Sequence, residues 1–97
     1  MFKLSVVETR KQLRLVLEGK LIAPWADELK AACETALSHL DGRELVVEVK
    51  NLMTISQEGE NVLVELMQRG VKFRCRGVFA KHVIRIIVRR ARAKTER

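Results

Sequence analysis

Apolar and polar residues alternate in two short stretches near the start of the chain. Residues 2–6 and 13–17 carry phenylalanine, leucine or valine at every second position, which is the period of a strand with one buried face. The link at residues 8–11 is short enough for a hairpin, and Gly19 is expected to end the second strand. The chain is therefore predicted to open with a pair of strands.

The pattern then changes to the spacing of a helix. Between residues 25 and 40, apolar side chains recur every three or four positions, as they do on the buried stripe of a helix. The run LVVEV at residues 45–49 is continuous rather than alternating, which is typical of a central strand covered on both faces. Helical spacing returns at residues 57–69, and Gly70 suits the end of that second helix.

The remaining residues predict a strand followed by a helix. Residues 71–76 alternate apolar side chains with Lys72, Arg74 and Arg76, and we interpret these charges first as protection against unwanted edge pairing. Residues 82–88, HVIRIIV, are rich in β-branched residues and could form a strand. The separation of basic and apolar side chains around a helical wheel favours a helix instead, up to about residue 92.

Together these elements predict an α/β fold with the order ββαβαβα. We expect a small mixed sheet of about four strands with helices crossing it, in which right-handed connections join the second, third and fourth strands. We expect a single domain over residues 1–92 and a basic C-terminal tail at residues 93–97.

The predicted C-terminal helix is amphipathic in an unusual way. Its apolar arc is wider than one core contact requires, which indicates a homodimer interface or a contact with a partner. The net charge of +7 is concentrated in the same segment, since the body up to residue 77 is nearly neutral. Such charge can attract an acidic partner, a nucleic acid or an anionic membrane surface, or it can only keep the segment solvated. The basic patch consists of Lys81, Arg85, Arg89, Arg90 and Arg92.

Composition excludes several classes of protein. The 97 residues are 47% hydrophobic, enough for the core of one domain, but no apolar run is long enough to span a membrane. The N-terminal residues lack the apolar stretch of a secretory signal, so we expect a cytoplasmic location. Cys33 and Cys75 are far apart and lack a CxxC motif, so we interpret them as reduced thiols and expect no metal site.

No arrangement of residues predicts catalysis. His39 and His82 are isolated from carboxylates and serines at familiar spacings, and no glycine-rich phosphate-binding motif is present. Glu58 and Glu60 lie two positions apart on a helix and point in different directions, so they are not a paired acid and base. We therefore predict a protein that is not an enzyme and needs no cofactor.

The turn MTISQEGENVL at residues 53–63 is the most distinctive segment. Thr54 or Ser56 can cap the helix that follows, and Gly59 inside its first turn costs about 1 kcal/mol relative to alanine. The turn follows the carboxyl end of the central strand, where open α/β sheets place binding sites. We interpret Gly59 as keeping the helix start bare for a partner, with capping alone as the competing interpretation. The predicted partner-binding surface comprises Thr54, Ser56, Gln57, Glu58, Gly59 and Val62.

The same segments resemble a known family. LRLVLEGKLIAPWADELKAACETAL at residues 13–37 resembles the strand, glycine and first helix of STAS domains, and ELVVEVKNLMTISQEGENVLVELMQRGVKFR at residues 44–74 resembles their central strand, signature turn, second helix and next strand. STAS domains are shared by anti-sigma factor antagonists and the cytosolic tails of sulphate transporters. The resemblance implies a non-enzymatic protein-interaction module in a bacterial-type signalling system that regulates transcription.

The signature turn departs from the family at the phosphorylated position. Family members usually carry Asp-Ser-Ser-Gly or Asp-Ser-Thr-Gly, and a partner kinase phosphorylates the hydroxyl residue before the glycine. The corresponding glycine is Gly59, and the phosphoacceptor position is Glu58, which has no hydroxyl. The resemblance then implies either that Glu58 permanently mimics a phosphoserine or that the surface serves another partner. Ser56 and Thr54 remain candidates for modification.

Three functions follow from these observations. The first is an interaction module that docks through residues 54–62 on an anti-sigma-factor-like kinase or a regulatory complex. The second is an accessory subunit of a transporter or of another regulatory complex. The third is a nucleic-acid binder that uses the basic C-terminus, which the aromatic content of 4% disfavours. A steep salt dependence of binding would distinguish the third from the other two.

Overall fold

The computed structural model describes the backbone of residues 2–95 and the side chains of residues 2–93. Within this part of the chain the elements follow the predicted order ββαβαβα. They are β1 (Phe2–Glu8), β2 (Gln12–Leu21), α1 (Trp25–Leu37), β3 (Glu44–Ile55), α2 (Gln57–Gln68), β4 (Lys72–Arg76) and α3 (Val78–Thr95).

The four strands form one mixed sheet in the order β1-β2-β3-β4. β1 and β2 pair antiparallel across the predicted hairpin, whereas β2, β3 and β4 run parallel to one another. The prediction of a small mixed α/β sheet is confirmed. Because β2, β3 and β4 are parallel, their carboxyl ends lie at the same end of the sheet, which is where such folds usually bind ligands and partners.

All three helices pack on one side of the sheet, which we call the covered face. Leu15, Leu17, Val47 and Val49 point to this side and form one core cluster with residues of every helix. Val46 is also buried, yet it lies outside that cluster, because neighbouring residues of a strand point to opposite faces. Residues 45–49 are buried on both faces, as predicted for a central strand, although the helices cover only one of these faces.

The other side of the sheet, which we call the open face, carries rows of charged side chains. Glu48 is only 5% exposed there, and it lies between arginines of the two neighbouring strands. Its carboxylate oxygens are 3.8 Å from Arg14 Nη1 and 3.5 Å from Arg76 Nε. Long arginine side chains therefore cover Glu48 in the middle of this face.

β2 continues past Gly19, which was predicted to end it. Gly19 has a φ of 97° and lies at an irregularity where the register between β2 and β3 shifts. A bulge bends a strand without ending it, and glycine adopts a positive φ at little cost. β2 therefore reaches Leu21, which pairs with Ile55 at the end of β3.

The C-terminal segment is a helix, so the preferred interpretation of residues 82–88 is confirmed. α3 continues to Thr95, beyond the predicted end near residue 92. Much of its wide apolar arc packs against the sheet and α2. The buried side chains of this arc are Ala80, Val83, Ile87 and Ala91. Val78, Phe79 and Ile86 remain exposed, at 88%, 43% and 39%.

Candidate functional site

Contacts with the end of β2 fix the turn between β3 and α2. The backbone N–H of Ser56 donates a hydrogen bond to the carbonyl oxygen of Leu21 at 3.0 Å. The Ser56 hydroxyl oxygen accepts a hydrogen bond from the Gly59 N–H at 3.1 Å, which is the contact of a helix N-cap. The sequence left Thr54 and Ser56 open as caps. Ser56 is the cap, and Thr54 is an exposed residue of β3.

Gly59 is buried in the first turn of α2. A Cβ atom built on it would overlap the carbonyl oxygen of Leu21 and lie 2.8 Å from Ile55 Cγ1. Its φ is not among the positive values, so the glycine is needed for space rather than for an unusual backbone conformation. The expectation that Gly59 keeps the helix start bare for a partner is wrong. The close approach is to the protein's own strand β2.

The residues of the predicted surface differ in their exposure to solvent. Thr54, Gln57 and Glu58 are exposed, and Ser56 is half-buried. Val62 is only 8% exposed and belongs to the core. The accessible part of the turn is therefore made of two neutral polar side chains and one carboxylate.

A groove between α1 and α2 extends from the turn. Its volume is about 500 Å³, and a salt bridge crosses it with 3.1 Å between Lys30 Nζ and Glu65 Oε2. The groove is lined by Asp27, Lys30, Glu58, Asn61, Val62, Glu65 and Gln68. Three carboxylates and one ammonium group line it, so its electrostatic potential favours cationic groups of a partner.

Sequence reasoning missed this groove, although the sequence contains a signal for it. The polar residues Glu58, Asn61, Glu65 and Gln68 recur every three or four positions, which places them along one face of α2. The apolar positions of the same helix predict only its buried face. The position of α1 beside this polar stripe depends on the packing of two helices on the sheet, which spacing along the chain does not define.

Glu60 faces away from the groove and contacts α3. Its Oε1 is 3.1 Å from Arg90 Nη1, and Arg90 Nη2 donates to Asn61 Oδ1 at 2.8 Å. Arg90 therefore connects α3 to α2. It does not belong to the exposed basic patch, in which the sequence had placed it. The other members of the predicted basic patch, Lys81, Arg85, Arg89 and Arg92, are exposed.

His39 and Cys33, which the sequence offers as candidate functional side chains, have surroundings that give no sign of catalysis or metal binding. His39 Nδ1 lies 2.9 Å from the Thr35 carbonyl oxygen and 3.0 Å from Ser38 Oγ, just beyond the end of α1. Burial raises the pKa of the Cys33 thiol from 9.0 to about 11, an effect that Arg69 opposes and Glu34 reinforces. Such a thiol is a poor nucleophile at neutral pH. Among the described residues, no group of three or more histidine, cysteine or acidic side chains could hold a metal ion.

Within residues 2–95, no helix combines the length and apolar character needed to cross a membrane.

Solved structures share this fold. The chain matches the anti-sigma factor antagonist SpoIIAA in its unphosphorylated form, with a TM-score of 0.62 and 15% identity, over 88% of this chain and 82% of SpoIIAA. It matches a protein from Shewanella loihica, described as an uncharacterised DUF3478 family member with a SpoIIAA-like fold. That match has a TM-score of 0.55 and 14% identity over 88% of this chain and 75% of the other.

A third match is with Mglu in its native form, with a TM-score of 0.55 and 17% identity over 74% of this chain and 22% of Mglu. No family model matches the chain, and no curated protein sequence matches it. At these levels of identity the similarity establishes the fold and not the function. The chain therefore has a STAS-like fold of the SpoIIAA type, as its strand, turn and helix segments predicted.

Proposed function

We propose that this protein is a non-enzymatic interaction module that binds a protein partner through the exposed side chains at the start of α2. The exposure of Glu58 is the observation on which the proposal rests. Glu58 lies in the first turn of the helix and lines the groove between α1 and α2. The similarity of the fold to that of an anti-sigma factor antagonist supports the same proposal.

The chemistry of Glu58 argues for an interaction that phosphorylation at this position does not switch. A carboxylate carries one negative charge and accepts no phosphate, whereas a phosphoserine carries about two. The positive end of the helix dipole stabilises a carboxylate in the first turn, and this effect does not depend on phosphorylation. The partner would therefore meet a permanently anionic docking surface, which we define as Thr54, Gln57 and Glu58 together with the groove between α1 and α2.

Ser56 and Gly59 hold the docking surface in position without being exposed parts of it. The Ser56 hydroxyl holds the first turn of α2, and Gly59 allows the helix to approach β2. Ser56 remains a proposed site of modification. A phosphate there would compete with the cap hydrogen bond, because the hydroxyl oxygen already accepts from the backbone.

Site-specific photo-crosslinking in the native cells would test the docking surface. A photoreactive residue at Gln57 should cross-link a protein that is not cross-linked from a photoreactive residue at Arg10. The loop at residues 9–11 lies at the opposite end of the parallel strands, where β2 begins. Charge reversal by Glu58→Arg should abolish the cross-link from position 57. The same reversal at Glu44, which is also exposed, is the matched control.

Two results would contradict the proposal. One is an identical set of cross-linked proteins from positions 57 and 10. The other is a cross-link from position 57 that survives Glu58→Arg. Loss of the cross-link in the Glu44→Arg control would point to net charge rather than to this surface.

A further inference from the structure

β4 forms one edge of the sheet. It pairs with β3 over residues 72–76, and no other strand among residues 2–95 lies beside it. The chain leaves β4 at Gly77 and enters α3, which packs on the covered face. The outer N–H and C=O groups of β4 are therefore available for pairing with an additional strand.

The side chains of β4 alternate between two chemistries. Lys72, Arg74 and Arg76 are exposed on the open face, whereas Phe73 and Cys75 are half-buried on the covered face. An added strand with apolar side chains on the covered side would bury more of Phe73 and Cys75.

Two of the three positive charges at this edge have no ion pair within the described structure. Lys72 and Arg74 have no ion pair among residues 2–93, and the side chain of Arg76, which contacts Glu48, is 68% exposed. These three cations disfavour pairing of β4 with β4 of a second copy, because like charges would face one another across the new ladder. The same arrangement attracts a strand that carries acidic side chains at alternate positions.

From this combination we infer that β4 binds an extended segment of another protein, in which acidic and apolar residues alternate, as a fifth strand of the sheet. The backbone of the segment would bond the free edge of β4. Its acidic side chains would face Lys72, Arg74 and Arg76, and its apolar side chains would cover Phe73 and Cys75. This edge is distinct from the proposed docking surface at the start of α2.

A strand of protein fits these observations better than a nucleic acid does. Phosphates could pair with the cations, but they would leave the alternating donors and acceptors of the β4 backbone unmatched. The phenylalanine and tryptophan residues of the chain are Phe2, Trp25, Phe73 and Phe79, and none of them lies on the open face. No base could therefore stack on a phenylalanine or tryptophan ring on that face.

Fluorescence anisotropy with synthetic peptides would test the inference. The probe is a labelled peptide in which glutamate alternates with valine, and it should bind the wild-type protein. A peptide with lysine in place of glutamate should bind at least about tenfold more weakly. A third peptide keeps the glutamates but carries N-methyl groups on alternate backbone nitrogens, and it should also lose about tenfold because it cannot complete the ladder.

Protein variants locate the binding edge. The double variant Lys72→Glu, Arg74→Glu should bind the acidic peptide at least about tenfold more weakly than wild type. The double variant Arg85→Glu, Arg89→Glu makes the same change of net charge on the exposed side of α3, and it should leave binding within about twofold. Circular dichroism checks the fold of both variants, whose altered side chains are all exposed.

Three outcomes would overturn the inference. The first is no binding of the acidic peptide to the wild-type protein. The second is equal binding of the N-methylated peptide, which would reduce the interaction to charge attraction. The third is displacement of the peptide by a DNA or RNA duplex at a lower concentration than unlabelled peptide requires, which would assign the cations to nucleic acid.

Discussion

The backbone of Gly59 in α2 lies directly against the carbonyl oxygen of Leu21 at the end of β2. The same oxygen accepts a hydrogen bond from the Ser56 N–H. One backbone carbonyl therefore contacts both the cap and the first turn of the helix. The position of Glu58, and with it the proposed docking surface, depends on this junction between a strand end and a helix start.

Replacing Gly59 with alanine tests the close approach directly. Helix propensity alone would stabilise the variant by about 1 kcal/mol. We expect net destabilisation of about 1–3 kcal/mol instead, because the added methyl group meets a backbone oxygen that cannot move independently. Urea unfolding monitored by circular dichroism gives the value. Gln57→Ala, at an exposed position of the same turn, should change stability by no more than about 0.5 kcal/mol. An alanine variant as stable as wild type would contradict the contact.

Ser56 is expected to stabilise α2 through its side-chain oxygen. Ser56→Ala should lower the free energy of unfolding by about 1 kcal/mol, because the Gly59 N–H loses its acceptor. Ser56→Asp retains an acceptor and should stay within about 0.5 kcal/mol of wild type. Thr54→Ala is the control for the alternative cap and should have little effect. A loss on Thr54→Ala equal to that on Ser56→Ala would show that the capping contact is assigned to the wrong residue.

Glu48 is expected to contribute more to stability than the exposed ion pairs on the same face. Its carboxylate balances Arg14 and Arg76, and Arg14 Nε is buried without a hydrogen-bond partner. Glu48→Ala should therefore lower the free energy of unfolding by about 1–3 kcal/mol. The matched variant is Glu18→Ala, which removes a longer and more exposed pair with Lys50 at 3.9 Å.

The expected loss for Glu18→Ala is at most about 1 kcal/mol. Equal losses in chemical denaturation of the two variants would mean that burial between the arginines does not strengthen the interaction of Glu48. A larger loss for Glu18 would contradict the ranking outright.

The Cys33 thiol predicts a decline of stability in alkaline solution. Its folded-state pKa is raised by burial from 9.0 to about 11, so the unfolded chain loses this proton first as the pH rises. The contribution is fully present below pH 9.0 and is lost as the pH rises towards 11. Urea unfolding across this range should show a steeper decline for wild type than for Cys33→Ala. The difference isolates the thiol because both proteins share all other titrating groups, and parallel declines would contradict the assignment.

The order of elements was predictable from the sequence because each element has a clear hydrophobic period. The alternation in residues 2–6 and 13–17 and the helical spacing after residue 25 are local properties, and the structure follows them. The junction at Gly59 was not predictable in this way. Its cause is contact with Leu21, which is distant in the sequence and becomes a neighbour only through the parallel pairing of β2 and β3.

What covers the open face was not predictable for a related reason. The continuous apolar run at residues 45–49 predicts burial on both faces, and Val46 and Glu48 are buried. The carboxylate of Glu48 lies beside arginines on adjacent strands, and which arginines lie there depends on strand register. Arg90 was grouped with the basic patch for the same kind of reason, since its partner Glu60 lies on another helix.

The exposed apolar side chains of α3 lead to a prediction about self-association. The sequence predicted a homodimer or partner contact from a wide apolar arc. Part of that arc is buried within the protein, and the side chains that stay exposed for such a contact are Val78, Phe79 and Ile86. Ile84 is partly buried against the core, so Ile84→Lys would disturb folding as well as any interface. The double variant Phe79→Lys, Ile86→Lys tests the interface more cleanly, because both side chains are exposed.

We expect sedimentation velocity to show concentration-dependent association of the wild-type protein at micromolar concentrations and a monomer for the double variant. Thr35→Lys on the exposed side of α1 adds charge elsewhere and should leave association unchanged. A wild-type protein that stays monomeric over this range would rule out the dimer, and association that persists in the double variant would place the interface on another surface.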